Sequence, residues 1–216
     1  MDQLDIYSDV ICPWCYIGKQ HMRAALEMLA NDGLRFEVTW RAFQLNPEMP
    51  REGVERESYR KAKFGSVIKS RQLDRQVAEA ARQAGLPIRH DRMKRTPNTL
   101  DAHRLIRWAG PLQDAVVDAL FRAYFVDGED VGDRAVLARI AGEAGLAGAA
   151  EFLDSSEGES EVLAEDATAR RAGLTGVPTF VLDRHVLFSG AVPPDVFAEA
   201  LGKARRVIRE QALATG

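Results

Sequence analysis

The sequence predicts an α/β protein: a small sheet built from both ends of the chain, with an all-helical segment inserted between them. Three observations predict it. The only two cysteines, Cys12 and Cys15 in "DVICPWCYIGKQHM" (9–22), lie between a strand-like run and a helix-like run. Two further strand-like runs, "VPTFVL" (177–182) and "HVLFSG" (185–190), appear near the other end. From about Tyr59 to Gly148, helical patterns follow one another and no strand pattern stands out.

The elements follow in order. "LDIYSDVI" (4–11) is rich in β-branched and aromatic residues and reads as a strand. Pro13 suits the first turn of a helix, where its missing N–H costs nothing. Met22, Leu26 and Leu29 recur at helical spacing on one buried face, and the helix runs to about Asn31, with Gly33 as its stop. "LRFEVTWRAF" (34–43), with Phe36, Val38 and Trp40 alternating, is a second strand, and "QLNPEMPREGV" (44–54) is a loop. In the middle, "DAVVDALFRAYFVDG" (114–128) carries Val117, Phe121 and Phe125 on one face. "GDRAVLARIAGEAGL" (132–146) starts at the candidate N-cap Asp133 and ends near Gly145, and a further helix over 160–172 ends at Gly173. "VPTFVL" and "HVLFSG" form a hairpin around Asp183–Arg184, and Pro178 stands at its first strand, where proline is tolerated. Pro193 and Pro194 open a last helix with Phe197, Leu201, Ala204 and Ile208 on one face. Strand–helix–strand early and strand–strand–helix late is the order of a thioredoxin fold. The expected division is a discontinuous thioredoxin-like domain, 1–55 and 160–216, and a helical insertion domain, 56–159.

Composition excludes several classes of function. The 216 residues are 46% hydrophobic and 28% charged, ordinary for a globular protein. A net charge of −3 gives no electrostatic case for nucleic acid or an anionic membrane. The basic runs "RMKR" (92–95) and "ARRVIRE" (204–210) read as solvated helix faces. No apolar run approaches the roughly 20 residues that span a bilayer. "MDQLDIYSD" lacks a basic start and an apolar stretch, so a cytoplasmic location is expected. Structural disulfides are uncommon there.

The cysteine pair has three readings. As a structural disulfide it would close a very short loop, with little entropic worth. A structural metal site needs about four ligands. There is no second cysteine pair, and His21, His90, His103 and His185 are not spaced as a ligand knuckle. Redox chemistry remains. Cys12 falls at the N-terminus of a helix, where backbone N–H groups and the positive dipole end favour a thiolate. Cys15 lies one turn further in, placed to attack a mixed disulfide formed on Cys12. This assigns Cys12 as nucleophile and Cys15 as resolving thiol, with no cofactor needed. A strand–Cys-x-x-Cys–helix opening of this kind also predicts a downstream proline, in cis, facing the cysteines, and Pro178 is the candidate. The intervening Pro-Trp differs from the Gly-Pro of thioredoxin, and a potential more oxidising than thioredoxin's (about −270 mV) is expected.

"SDVICPWCYIGK" (8–19), "WRAFQLNP" (40–47), "NTLDAHRLIRWA" (98–109) and "AGLTGVPTFVL…FSGA" (172–191) together resemble the DsbA superfamily, more narrowly its FrnE-like cytoplasmic thiol oxidoreductases. The resemblance spans essentially the whole chain. It implies a DsbA-like fold, in which Cys12, Cys15 and the Val177–Pro178 peptide form the active site. It also implies that the segment with Asn98 and His103 caps that site from the helical domain. The partners implied are protein or small-molecule thiols and disulfides, and a homodimer stays open.

The sequence is also similar to 2-hydroxychromene-2-carboxylate isomerases and kappa-class glutathione transferases, which place a serine where Cys12 stands. Keeping both cysteines favours dithiol work over that alternative, and over a binding or chaperone module built on the same fold. Glutathione remains a candidate co-substrate. An extended peptide would pair with the backbone of Val177 beside Pro178, and N–H groups at Gly190 and Ala191, near the start of the last helix, would hold its anions. Pro13 and Trp14 line the approach, with Trp14 as apolar surface for a polypeptide. His21 reads as a packing residue, and Asp9 has no role fixed by the sequence. His103 alone reads as a half-buried helix histidine. Polar residues at a helix start are poor core material, so Asn98 and His103 are expected to face the cysteines across a cleft and touch substrate.

Overall fold

A computed structural model describes residues 2–214. The sheet has four strands: β1 (Asp2–Ser8), β2 (Phe36–Ala42), β5 (Thr179–Leu182) and β6 (His185–Ser189), in the order β2-β1-β5-β6. β1 and β2 run parallel with Ile6 opposite Trp40, whereas β5 is antiparallel to β1 and β6 to β5. Leu4, Ile6 and Ser8 alternate into one buried face of β1, as period two requires. The hairpin turns at Asp183 and Arg184, both at positive φ (45° and 69°), the geometry of a primed two-residue turn.

β1 ends three residues earlier than the sequence suggests. Asp9–Ile11 turn instead, and the Cys12 N–H donates to the Asp9 carbonyl at 3.0 Å. Pro13 fixes where the helix begins, so the chain has to change direction before it. Helix α1 (Pro13–Asn31) lies beside α9 (Pro194–Ala214) against the sheet, with Met22, Leu29, Phe197 and Leu201 buried. Tyr7 and Phe43, on the opposite face, pack against Ala169 of α8 (Glu159–Arg171).

Between β2 and α8 the insert is helical: α2 (Arg56–Phe64), α3 (Val67–Gln83), α4 (Leu100–Trp108), α5 (Gln113–Arg122), α6 (Arg134–Glu143) and α7 (Ala149–Asp154). Asp133 caps α6 by accepting from the Ala135 N–H, and Gly145 and Gly173 follow α6 and α8 at positive φ. Val117, Phe121 and Phe125 are all buried. A spacing of four runs ahead of 3.6 residues per turn. A π-helical turn over Ala123–Asp127 widens the repeat and lets Phe125 stay inward, stacked on Tyr16 at 5.4 Å. One strand pair differs from the sequence expectation: β3 (Val54–Glu55), at the end of the stretch read as a loop, and β4 (Arg95–Thr96), inside the stretch read as strand-free, form a two-residue antiparallel ladder. Elements this short carry no periodicity. Among the described residues no helix is long and apolar enough to cross a membrane.

The insert is tied to the sheet by a buried cation. Lys19 of α1, 3% exposed, pairs with Asp114 and Asp118 of α5, and the Trp40 indole N–H donates to Asp114 at 3.1 Å.

Candidate active site

Cys12 is the N-cap of α1, in extended geometry (φ −87°, ψ 113°), with Pro13 at the first helical position. Its carbonyl accepts from the N–H groups of Cys15 (3.0 Å) and Tyr16 (3.2 Å), while its thiol donates to the Val177 carbonyl at 3.5 Å. The Val177–Pro178 peptide is cis. Pro178 is buried against Gly18, and its carbonyl accepts from the Gly190 N–H at 2.8 Å.

The two sulfurs differ. Cys15 is the more enclosed, 1% exposed against 4% for Cys12. Burial, first of all, pushes the Cys15 thiol well up, and its hydrogen bond to Cys12 and the charge there add to this. The Ser8 side chain and the Asp9 backbone N–H, both hydrogen-bonded to the Cys15 sulfur, pull the other way. Cys15 therefore holds its proton beneath the site, and Cys12 is the sulfur nearer the surface.

Cys12 borders a cleft of about 340 Å³ between the start of α1 and the α2–α3 pair. Pro13, Trp14, Gly176 and Val177 form one wall, and Trp14 is 42% exposed. Across from them stand Tyr59, Arg60 and Lys63 of α2, with Arg56, Asp74 and His90 behind. Asp74 holds Arg56 at 3.1 Å and Arg60 at 2.6 Å, and His90 lies 3.5 Å away. Burial pushes the His90 imidazole down, against the pull of Asp74. The Lys63 ammonium donates to the Tyr59 hydroxyl at 2.6 Å and reaches Asn46 at 3.4 Å. This wall escaped the sequence reading, although Arg56, Arg60 and Lys63 recur at helical spacing. Such a stripe reads equally as a solvated face.

The structure thus brings Cys12, Pro13, Trp14 and Val177 to one cleft, with Cys15 and Pro178 packed beneath. It does not bring Asn98 or His103 there. The buried Asn98 amide donates to the Met49 carbonyl at 2.6 Å, and its oxygen accepts from the Leu100 N–H at the start of α4. Those two hydrogen bonds, made just ahead of α4, explain its polarity there. His103, 4% exposed, lies 3.5 Å from the Asp9 carboxylate and is not part of the cleft wall. Gly190 and Ala191 lie ahead of the last helix, not at its start. The Gly190 N–H already serves Pro178, and α9 begins only at Pro194, whose imide nitrogen has no hydrogen to donate. His21 is a packing residue, with Nδ1 at 2.9 Å from the Val192 carbonyl.

Comparison with known proteins agrees with this architecture. The chain is 34% identical to a probable DsbA oxidoreductase of Streptomyces coelicolor, over 94% of this chain and 90% of that one, with a TM-score of 0.84. It is 25% identical over 210 residues to YwbO of Bacillus subtilis, covering 94% of this chain and 97% of that protein. In fold it is similar to the cytosolic disulfide reductase DsbM of Pseudomonas aeruginosa, solved with GSH: 21% identity, TM-score 0.65, and 94% and 99% of the two chains. The model of the DSBA-like thioredoxin domain matches residues 3–202, from β1 through the cysteine pair and the helical insert into α9, and the chain belongs to that family.

Proposed function

We propose that this protein is a thiol–disulfide oxidoreductase in which Cys12 exchanges with substrate sulfur and Cys15 resolves the mixed disulfide. The observation that carries the reading is the asymmetry of the pair: Cys12 borders an open cleft at a helix start, while Cys15 keeps its proton one turn deeper. In the reducing direction the Cys12 thiolate attacks a substrate disulfide and one substrate thiolate leaves. Cys15 then attacks the Cys12 sulfur, the second substrate thiolate leaves, and the enzyme is oxidised. The oxidising direction is the reverse. Electrons enter and leave through substrate sulfur, so the reading asks for no cofactor.

The finer reading is a FrnE-like enzyme acting in the cytoplasm, its chemistry on residues 1–55 and 160–216 and its substrate choice shaped by 56–159. A cleft of about 340 Å³ is at the small end for ligand pockets. With Arg60 and Lys63 on its wall it favours a small thiol or disulfide that carries carboxylates, glutathione included. The exposed Trp14 offers apolar surface for an extended polypeptide beside Val177 and Pro178. A glutathione-dependent isomerase or transferase would need one sulfur only, and a resolving thiol hydrogen-bonded to the first favours the dithiol route. Turnover of oxidised glutathione and of insulin by Cys12→Ser and Cys15→Ser separates these. The dithiol route predicts that both variants lose turnover. Full activity in Cys15→Ser would overturn it.

A further inference from the structure

A second groove shares a wall with the cleft and reaches neither cysteine. It holds about 610 Å³ between α2, α3 and the segment 90–94. That segment overlaps the basic run 92–95, which the sequence places on a helix face. The run is not helical: it follows a turn at 90–92 and leads into β4, and Lys94 lines the groove. Arg71 and Arg75 of α3 line it too, and so do Arg56 and Arg60, whose side chains are only 14% and 17% exposed.

Five cations line the groove against four carboxylates, and three of the four carboxylates are engaged. Asp74 holds Arg56 and Arg60. Asp91 pairs at 2.9 Å with Arg89, outside the groove. Glu55 caps α2, accepting from the N–H groups of Glu57 (2.8 Å) and Ser58 (2.7 Å). The fourth, Glu57, is exposed on the first turn of α2. Against it, Arg71 and Arg75 have no hydrogen bond or ion pair among the described residues, and the Lys94 ammonium donates to the Asp91 carbonyl at 2.9 Å. Ser70 fixes Arg60: its hydroxyl accepts from the guanidinium Nε at 2.7 Å and its carbonyl from Nη2 at 3.1 Å. Burial, and then the charge of Arg56, pull the Arg60 guanidinium down. Positive charge in excess of its partners, gathered in a concave site of this size, suits an anionic ligand.

We propose that this groove binds a small polyanion, one carrying two or more phosphate or carboxylate groups, and that its occupancy weakens the hold of the neighbouring cleft on anionic disulfides. Arg71 and Arg75 stand one helical turn apart, about 6 Å along α3. They can therefore take two anionic groups of one ligand, each through a planar fork that matches an oxyanion. Lys94 adds a point charge. A nucleic acid does not suit the site, because the chain as a whole carries a net charge of −3. The effect on the cleft rests on the oxidoreductase reading above. Arg56, Arg60, Asp74 and His90 line both the groove and the cleft. An anion in the groove lowers the positive potential that this shared wall presents to a substrate on its other side.

The test uses the full-length protein at low ionic strength, since salt screens exposed cations, with inorganic tripolyphosphate and citrate as probes. Calorimetry should find one saturable site for at least one probe, and which of them binds separates phosphate from carboxylate chemistry. Arg71→Gln with Arg75→Gln should weaken that binding by about tenfold, whereas Lys63→Gln, on the cleft wall, should leave it within about twofold. Bound probe should raise the KM for oxidised glutathione by about twofold to fivefold and leave that for an uncharged disulfide unchanged. In the double variant the same probe concentration should raise neither. No saturable binding of either probe, or equal binding in the double variant, overturns the proposal. Inhibition that persists in the double variant places the anion in the cleft and overturns it as well, and binding with an unchanged KM overturns the coupling. If oxidised glutathione is not turned over at all, the oxidoreductase reading fails while calorimetry still decides on the groove, so the two failures are distinguishable.

Discussion

Gly18 of α1 and Pro178 touch so closely that a Cβ at position 18 would stand 2.9 Å from the proline Cγ. The contact seats the Val177–Pro178 segment against the helix that carries both cysteines. Glycine inside a helix ordinarily costs about 1 kcal/mol relative to alanine, so its presence here reflects the close approach. Gly18→Val should therefore destabilise the fold by about 1–3 kcal/mol through overpacking. Urea unfolding measures this, and an unchanged midpoint would contradict the contact.

The lysine that joins α1 to the insert should make stability acid-sensitive. Burial raises the Asp114 carboxyl, but the charge and hydrogen bond of Lys19, with the Trp40 N–H and Arg23, more than offset it and leave Asp114 below the usual carboxylate range. A folded-state value below the unfolded one contributes stability above about pH 4 that is lost as pH falls through the folded value. Lys19→Met should cost about 1–2 kcal/mol at pH 7, less than breaking a fully buried pair because both acids are half exposed. It should also flatten the loss of stability between pH 5 and pH 3. Thermal unfolding across that range checks both; an equally steep acid loss in the variant would contradict the assignment.

The basic wall of the cleft should discriminate by charge. Lys63→Gln removes the most exposed cation and leaves the Arg56–Asp74–Arg60 cluster intact. The KM for oxidised glutathione should rise roughly fivefold, the worth of about 1 kcal/mol, with kcat kept. The KM for an uncharged disulfide should stay where it is. Equal shifts for both substrates would mean that the wall does not read charge.

Much of the fold was legible because its signals are local. Pro13 and Gly33 bracket α1, Asp133 caps α6, and Asp183–Arg184 turns the hairpin. The cysteine pair was legible for the same reason: its spacing places one sulfur at the helix start and the other a turn inside. What escaped depends on tertiary placement. The β3–β4 ladder pairs residues about forty apart in the chain with no pattern of their own. Asn98 and His103 are expected at the cleft because polar residues at a helix start need a reason, and the reasons are two local hydrogen bonds of Asn98 and a contact of His103 with Asp9. Arg60 and Lys63 gain meaning only once α2 is folded over Cys12.

Alkylation under native conditions should divide the cysteines. Iodoacetamide near neutrality should label Cys12 and spare Cys15, whose thiol is buried and pushed up. Cys15 should react once denaturant is added. Peptide mapping after a short pulse reads the two sites, and equal labelling would contradict their asymmetry.

The central claim is that Cys12 alone meets substrate sulfur and Cys15 alone resolves it. Intact-mass analysis of Cys15→Ser and Cys12→Ser after incubation with oxidised glutathione tests it most directly. The account predicts one stable glutathione adduct on Cys12 in the Cys15→Ser protein and none in the folded Cys12→Ser protein. Adduct formation at Cys15 in Cys12→Ser as fast as at Cys12 in its counterpart would contradict it.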